Sequence, residues 1–355
     1  MPLSQPGGGS STGLDRTKIL VNRRILTDGS DPTLDFGSAY YRNNEGFLGA
    51  ADSFVGFYND LTGGKLIESA ALPDTVTTGG STVVSVFRNT ATNAIQCVQT
   101  GFANRELVET IDGGATWALV NIPPGVGAAM QGWKNVGPRW IIVSTFAGGF
   151  DFFFTDNDAV AWTSQATGLD AVAGTTTREG PFISDSEDMA AIFTGTGFFA
   201  VSTDVANGLP PTWVIIDSNT LFGLTVQLRS GAFNADGSVF VAVGASGDIV
   251  FSDDGLTTFQ IVDRDINPLI NSTIVVGKIS DIVYSAANAG FYIISNNETG
   301  ALVLEADLAN PVYVDVPTDT TIEPIPRGGG MADADNNVMF VDTGASLNKT
   351  YVTPQ

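Results

Sequence analysis

The chain has no histidine and a single cysteine among 355 residues, and these two shortages remove much of enzyme chemistry. Without imidazole there is no Ser-His-Asp or Cys-His triad and no histidine-ligated zinc; one thiolate cannot complete a zinc site alone. Cys97 falls within an apolar stretch, where it reads as a small core residue, and no intrachain disulfide can form. Basic residues are also scarce. Sixteen Lys and Arg face 38 Asp and Glu, a net charge of −22 that repels phosphate backbones, so no nucleic-acid partner is expected. No apolar run approaches the roughly 20 residues that cross a bilayer, and the first ten residues lack a signal-peptide core. The expectation is a soluble chain with no membrane insertion and no export signal of its own. Long apolar stripes of helical period are missing too, while 41 Gly and abundant Thr, Val and Phe favour short strands and turns.

What is present is a repeat. Thr110-Ile111-Asp112-Gly113-Gly114-Ala115-Thr116-Trp117 reads as a tight turn closed by an aromatic, and weaker copies follow it. The closing aromatics Trp117, Trp162, Trp213, Phe259 and Tyr313 are spaced by 45, 51, 46 and 54 residues. The second copy keeps Asn157 where the first has Asp112; the third keeps Asp204 ahead of an inserted loop; the fourth keeps Ser252, Asp254, Thr258 and Phe259. An earlier apolar strand precedes each copy, as in Phe240-Val241-Ala242-Val243-Gly244 and Trp140-Ile141-Ile142-Val143, and a sixth appears at Val338-Met339-Phe340-Val341. Units of this length built from short strands and turns are the signature of a propeller.

The pattern Ser/Thr-x-Asp-x-Gly-x-Thr-Trp, met in full by Thr110, Asp112, Gly114, Thr116 and Trp117, resembles the Asp-box of sialidase-like β-propellers. The expected fold is therefore all-β: one propeller of about six four-stranded blades, with seven as the alternative, over residues 46–355. Closure is expected from both chain ends, with the hairpin Phe54 to Glu68 pairing against residues 322–355, because an open sheet edge invites aggregation. For Asp112 and Asp254 the expected role is structural. A short carboxylate in a turn accepts backbone N–H groups, Thr116 or Thr258 adds a hydroxyl, and Trp117 or Phe259 packs between sheets.

The resemblance also raises a glycosidase. Sialidase-like enzymes carry three clustered arginines, a Tyr/Glu nucleophile pair and an acid/base Asp. This chain offers Arg88, Arg139, Arg178, Arg229, Arg264 and Arg327, scattered and without the Arg-Ile-Pro opening of such domains; Tyr284 and Tyr292 lie in apolar strands. No catalytic residue is assigned on this pattern. The acidic turns Asp333-Ala334-Asp335-Asn336-Asn337 and Asp156-Asn157-Asp158 invite a calcium reading, but the first, which starts like an EF-hand, lacks the required Gly and distal Glu. No metal and no cofactor are expected.

Residues 1–45 differ in character. A Gly/Ser-rich leader precedes Lys18-Ile19-Leu20-Val21-Asn22-Arg23-Arg24-Ile25-Leu26, a basic and apolar stretch, and residues 1–50 carry zero net charge. This layout, a neutral arm joined to an acidic propeller, resembles accessory proteins of tailed-bacteriophage virions. It implies a non-enzymatic structural or host-attachment protein located in the virion, its arm candidates Lys18, Ile19, Leu20, Val21, Arg23, Arg24, Ile25 and Leu26 docking onto other virion proteins. The arm can equally fold back on its own propeller. A glycan-binding or glycoside-hydrolysing propeller, or a cytoplasmic or non-classically exported soluble protein, is the alternative.

Overall fold

In the computed structural model, side chains are described for residues 118–126, 139–144, 151–173, 179–184, 188–205, 210–244, 247–262 and 289–293, with Leu107, Glu109, Ser186, Ile282 and Tyr284; elsewhere only strand backbone is described. The architecture is all-β. Each sheet is an antiparallel meander of four strands. The first comprises β2 (Phe36–Arg42), β3 (Glu45–Ala50), β4 (Val55–Tyr58) and β5 (Leu66–Ile67). The second comprises β6 (Ser81–Arg88), β7 (Ala94–Thr100), β8 (Asn104–Thr110) and β9 (Ala118–Val120); the third β10 (Met130–Lys134), β11 (Trp140–Ser144), β12 (Phe152–Thr155) and β13 (Thr163–Gln165). The fourth is β14 (Arg178–Ile183), β15 (Ala190–Thr194), β16 (Phe198–Ser202) and β17 (Val214–Asp217); the fifth β18 (Leu228–Phe233), β19 (Phe240–Gly244), β20 (Ile249–Ser252) and β21 (Gln260–Ile261). The sixth is β22 (Ile279–Ser285), β23 (Gly290–Ser295), β24 (Gly300–Glu305) and β25 (Val312–Asp315).

The seventh sheet joins the two ends of the chain. Its strands β26 (Gly330–Ala332), β27 (Val338–Val341) and β28 (Lys349–Val352) are completed by β1 (Val21–Arg24), which pairs antiparallel to β28 from Val21↔Val352 to Arg24↔Lys349. The first strands of successive sheets touch in turn, β2 to β6, β6 to β10, and onward to β22 and β26, and β26 touches β2 again. The sheets therefore stand in a closed ring with their first strands innermost, a β-propeller. Four-stranded sheets number seven among the described residues, the larger of the two blade counts that the sequence allows.

Closure differs in detail from the sequence expectation. Among the described residues the hairpin near Phe54 to Glu68 does not pair with residues 322–355: β4 pairs with β3, as in Phe47↔Phe57, and β5 pairs with β4. The strand that closes the ring lies in the segment read as an arm, and so does β2, the innermost strand of the first sheet. Of the arm candidates, Val21, Arg23 and Arg24 occupy β1, whereas Lys18, Ile19, Leu20, Ile25 and Leu26 lie outside the described residues.

Burial falls from the middle strands outward. Every residue of Trp140–Ser144, Phe152–Thr155, Ala190–Thr194 and Phe240–Gly244 is buried, whereas Ala118–Val120 and Thr163–Gln165 are exposed or half-buried. Middle strands are covered by neighbouring sheets on both faces, and so read as continuous apolar runs instead of alternating ones. One cluster spans the fourth and fifth sheets, where Phe182 stacks on Phe193 at 4.8 Å and Phe233 lies 4.5 Å from Phe240. Gly231 is required there. A Cβ on it would stand 2.7 Å from Phe240 Cζ and 3.1 Å from Phe193 Cζ.

Candidate functional site

The turns between the third and fourth strands of the third, fourth and fifth sheets share one hydrogen-bond plan. In the fifth, Ser252 Oγ donates to Asp254 Oδ1 at 3.0 Å, and the Thr258 N–H donates to the same oxygen at 2.9 Å. In the fourth, Ser202 Oγ donates to Asp204 Oδ1 at 2.7 Å and the Thr212 N–H at 2.8 Å. In the third, Thr155 Oγ1 donates to Asn157 Oδ1 at 2.5 Å and the Ala161 N–H at 2.9 Å. The acceptor oxygen thus bridges the start and end of each turn. The aromatic that follows is then aimed at another ring: Phe259 onto Phe199 at 5.1 Å, Trp213 onto Phe152 at 5.0 Å and Trp162 onto Trp140 at 6.3 Å. Phe199 and Phe152 belong to the preceding sheet in each case, so these turns lock one blade to the next. Trp162 does so by a hydrogen bond, donating Nε1–H to the Asn121 carbonyl at 2.9 Å. Of the best copy, Thr110 ends β8, and Asp112, Gly114, Thr116 and Trp117 lie outside the described residues.

These carboxylates are held ionised by their turns. The Thr258 hydroxyl, 2.6 Å from Oδ2, and then the Thr258 N–H hold Asp254 below the usual aspartate range. Partial burial pushes Asp204 up, but hydrogen bonds from Ser202 and Thr212 outweigh it and the net direction is down. A general acid needs the opposite shift, toward neutral pH.

The arginines do not form a cluster among the described residues. Arg139 has a nearly buried side chain and is fully engaged: Nε and Nη2 hold the two Asp156 oxygens at 2.6 and 2.9 Å, Nη1 donates to the Val205 carbonyl of the fourth sheet, and the guanidinium lies 5.3 Å from the Phe154 ring centroid. It clamps two blades. Arg229 is exposed on β18; Arg88 and Arg178 are placed by backbone only, in β6 and β14; Arg264 and Arg327 lie outside the described residues. Tyr292 is buried, and half-buried Tyr284 packs 4.9 Å from Phe291.

The remaining candidates are similarly placed. Asp156 faces Arg139 and Asp158 accepts the Trp140 indole N–H at 3.3 Å, so the Asp156 to Asp158 turn aims its carboxylates at protein partners. Asp333 to Asn337 lies outside the described residues. Cys97 sits in β7 opposite Ser85 and Leu107. Sequence reasoning missed two buried carboxylates, Asp248 and Asp151, of which Asp151 accepts the Thr167 N–H at 2.8 Å and its hydroxyl at 2.6 Å. No turn pattern marks Asp151, since this partner is 16 residues away.

No family model matches the chain, and no curated protein matches it in sequence. Solved structures do. YCF48 bound to D1 peptide is similar at a TM-score of 0.69 and 12% identity, covering 97% of each chain. The β-propeller domain of Cps50 (Swd1) from Myceliophteria thermophila reaches 0.63 at 10% identity, covering 94% of this chain and all of that one. The GH74 enzyme of Niastella koreensis reaches 0.58 at 13% identity, with 91% of this chain matched to 43% of the enzyme. At such identities the likeness is one of fold.

Proposed function

We propose that the protein is a non-enzymatic binding propeller that docks protein partners, and that its place is in a viral particle. The observation that carries the first part is the use made of its chemistry-bearing groups. Asp204 and Asp254 hold turns, Arg139 and Asp156 clamp adjacent blades, and Tyr284 and Tyr292 are packed. A carboxylate saturated by backbone and hydroxyl donors is poorly suited to transfer protons. A propeller of similar length that holds a peptide lends support to a protein partner. The particle rests on the layout of the chain: net charge −22 in all and zero over residues 1–50, with the arm candidates outside β1, Lys18, Ile19, Leu20, Ile25 and Leu26, left to anchor it, while host-surface glycan or protein meets the propeller.

Mass spectrometry of purified particles tests the location, and detection at stoichiometric copy number is expected. Absence from every particle fraction would refute it. Turnover of a fluorogenic glycoside panel by the full chain would overturn the non-enzymatic reading, and a glycan array separates a sugar ligand from a protein one.

A further inference from the structure

The connector from β17 to β18 is a rigid ledge with two leucines turned outward. Ser218–Phe222 makes one helical turn, capped by Asp217, whose carboxylate accepts the Asn219 N–H at 3.0 Å and the Thr220 hydroxyl at 2.7 Å. Gly223 ends the turn at φ 72°, donating its N–H to the Asn219 carbonyl at 3.0 Å. The buried Ser218 hydroxyl accepts the Val226 N–H at 2.9 Å, and the Ser218 N–H donates to the Gly197 carbonyl at 3.0 Å, tying the connector to the turn beside it. Phe222 and Val226 enter the core, yet Leu221 and Leu224 stay 47% and 40% exposed. Val172, 48% exposed, extends the apolar character on the equivalent connector from β13 to β14.

At the inner end of this ledge stands a cation. The pairing of β18 with β19 shifts register between Leu228 and Ser230, so Arg229 is the extra residue of a β-bulge, and it is exposed. Bulges re-aim a side chain at the rim of a sheet. Arg139 and Arg229 are the two arginines with described side chains, and Arg229 makes no hydrogen bond or ion pair among the described residues.

We propose that this face binds an extended peptide carrying apolar side chains and a free C-terminal carboxylate. The connector's backbone is already held by the Asp217 and Ser218 hydrogen bonds, so contact with its leucines costs little main-chain ordering on binding. A guanidinium is shaped for bidentate recognition of a carboxylate. Charge sets the limit on the ligand: a chain of net charge −22 repels a polyanion but accepts one carboxylate delivered beside apolar contacts. The assignment rests on the protein-binding reading above and names its surface.

The test is fluorescence polarisation of the full chain with a labelled pool of octapeptides, each bearing two Leu or Phe in a Gly/Ser backbone, made as free acids and as C-terminal amides. The acid pool is expected to bind at least about tenfold tighter than the amide pool. R229Q should bring the acid pool down to the amide level, and L221S/L224S should weaken both by about tenfold while leaving the melting temperature in place, since both leucines are exposed. No saturable binding by about 1 mM overturns the proposal, as does indifference to either variant. A wild-type dimer that L221S/L224S converts to monomer also overturns it, because the occupant is then a second copy. Failure of the peptide pool to bind a wild-type chain that still captures a protein partner overturns this face alone, whereas absence of any protein partner for the wild-type chain removes the broader reading as well.

Discussion

Removing either member of the Arg139 and Asp156 pair breaks the same ion pair, yet the two losses should differ. Asp156→Ala leaves a guanidinium whose side chain is 6% exposed without its carboxylate, while its donation to the Val205 carbonyl stays. Leaving a buried charge unpaired costs about 3–5 kcal/mol. The Asp156 side of the pair is 44% exposed, so water reaches the guanidinium from there and about 2–3 kcal/mol is expected. Arg139→Met leaves Asp156 free to hydrate, and the methionine refills much of the volume beside Phe154. Its main loss is the hydrogen bond to Val205, about 1–2 kcal/mol. Urea unfolding with the slope checked for constancy measures both. The double variant should be no worse than Arg139→Met, giving a coupling of about 2 kcal/mol. If Arg139→Met costs as much as Asp156→Ala or more, the burial asymmetry is not what sets the energies.

Acid should loosen the turns: Asp204, Asp217, Asp236 and Asp254 are all held below the ordinary aspartate value, chiefly by hydroxyl and backbone donors. A lowered folded-state pKa gives stability that is fully present above the unfolded value, about 3.9, and is lost as pH falls through the lowered one. The urea midpoint should therefore be flat from about pH 7 to 5 and drop below about pH 4, with Ser252→Ala/Thr258→Val showing a shallower drop; an equal drop would sink the assignment. Gly231→Ala drives a Cβ to 2.7 Å from Phe240 and should cost about 1–3 kcal/mol by urea unfolding; a neutral result would mean that the rings move freely. Deleting residues 1–20 should leave a monomer by size-exclusion chromatography, whereas deleting 1–24 removes β1, frees the edge of β28 and should produce concentration-dependent association. Monomeric behaviour of both would show that ring closure needs no strand from the N-terminal side.

The turns were legible because their chemistry is local. Ser252, Asp254 and Thr258 lie within seven residues, and the hydrogen bonds that join them are properties of that short stretch. Continuous runs such as Phe240 to Gly244 announced strands buried on both faces. The first sheet was harder to read, because Phe36–Arg42 and Glu45–Ala50 carry small residues, Gly37, Ser38, Gly46 and Gly49, that blur the apolar pattern. That the arm folds back was one of two open readings, but its pairing with β28 was not legible, for another reason. Val21-Asn22-Arg23-Arg24 has one apolar residue in four, and its partner lies more than three hundred positions away. Nothing local encodes such a pairing. The role of Arg139 was hidden likewise, since Val205 is 66 residues distant.

The decay of the repeat has a physical limit that the third sheet displays. Asn157 replaces the carboxylate and Ala161 replaces the threonine, yet the bridge survives, because it uses one side-chain oxygen and one backbone N–H. Either residue type supplies the oxygen, and every residue but proline supplies the N–H. The fourth sheet tolerates an inserted loop between the same two bonds. What all three turns keep is an aromatic that reaches the neighbouring blade, by ring contact for Trp213 and Phe259 and by a hydrogen bond for Trp162. The connectors at the opposite ends of the strands carry no such shared constraint: one exposes Val172, the next Leu221 and Leu224, and each is stapled by its own set of bonds. Blade cohesion at one end thus frees the other to vary, and that is the end where a binding surface can differ from one propeller to another.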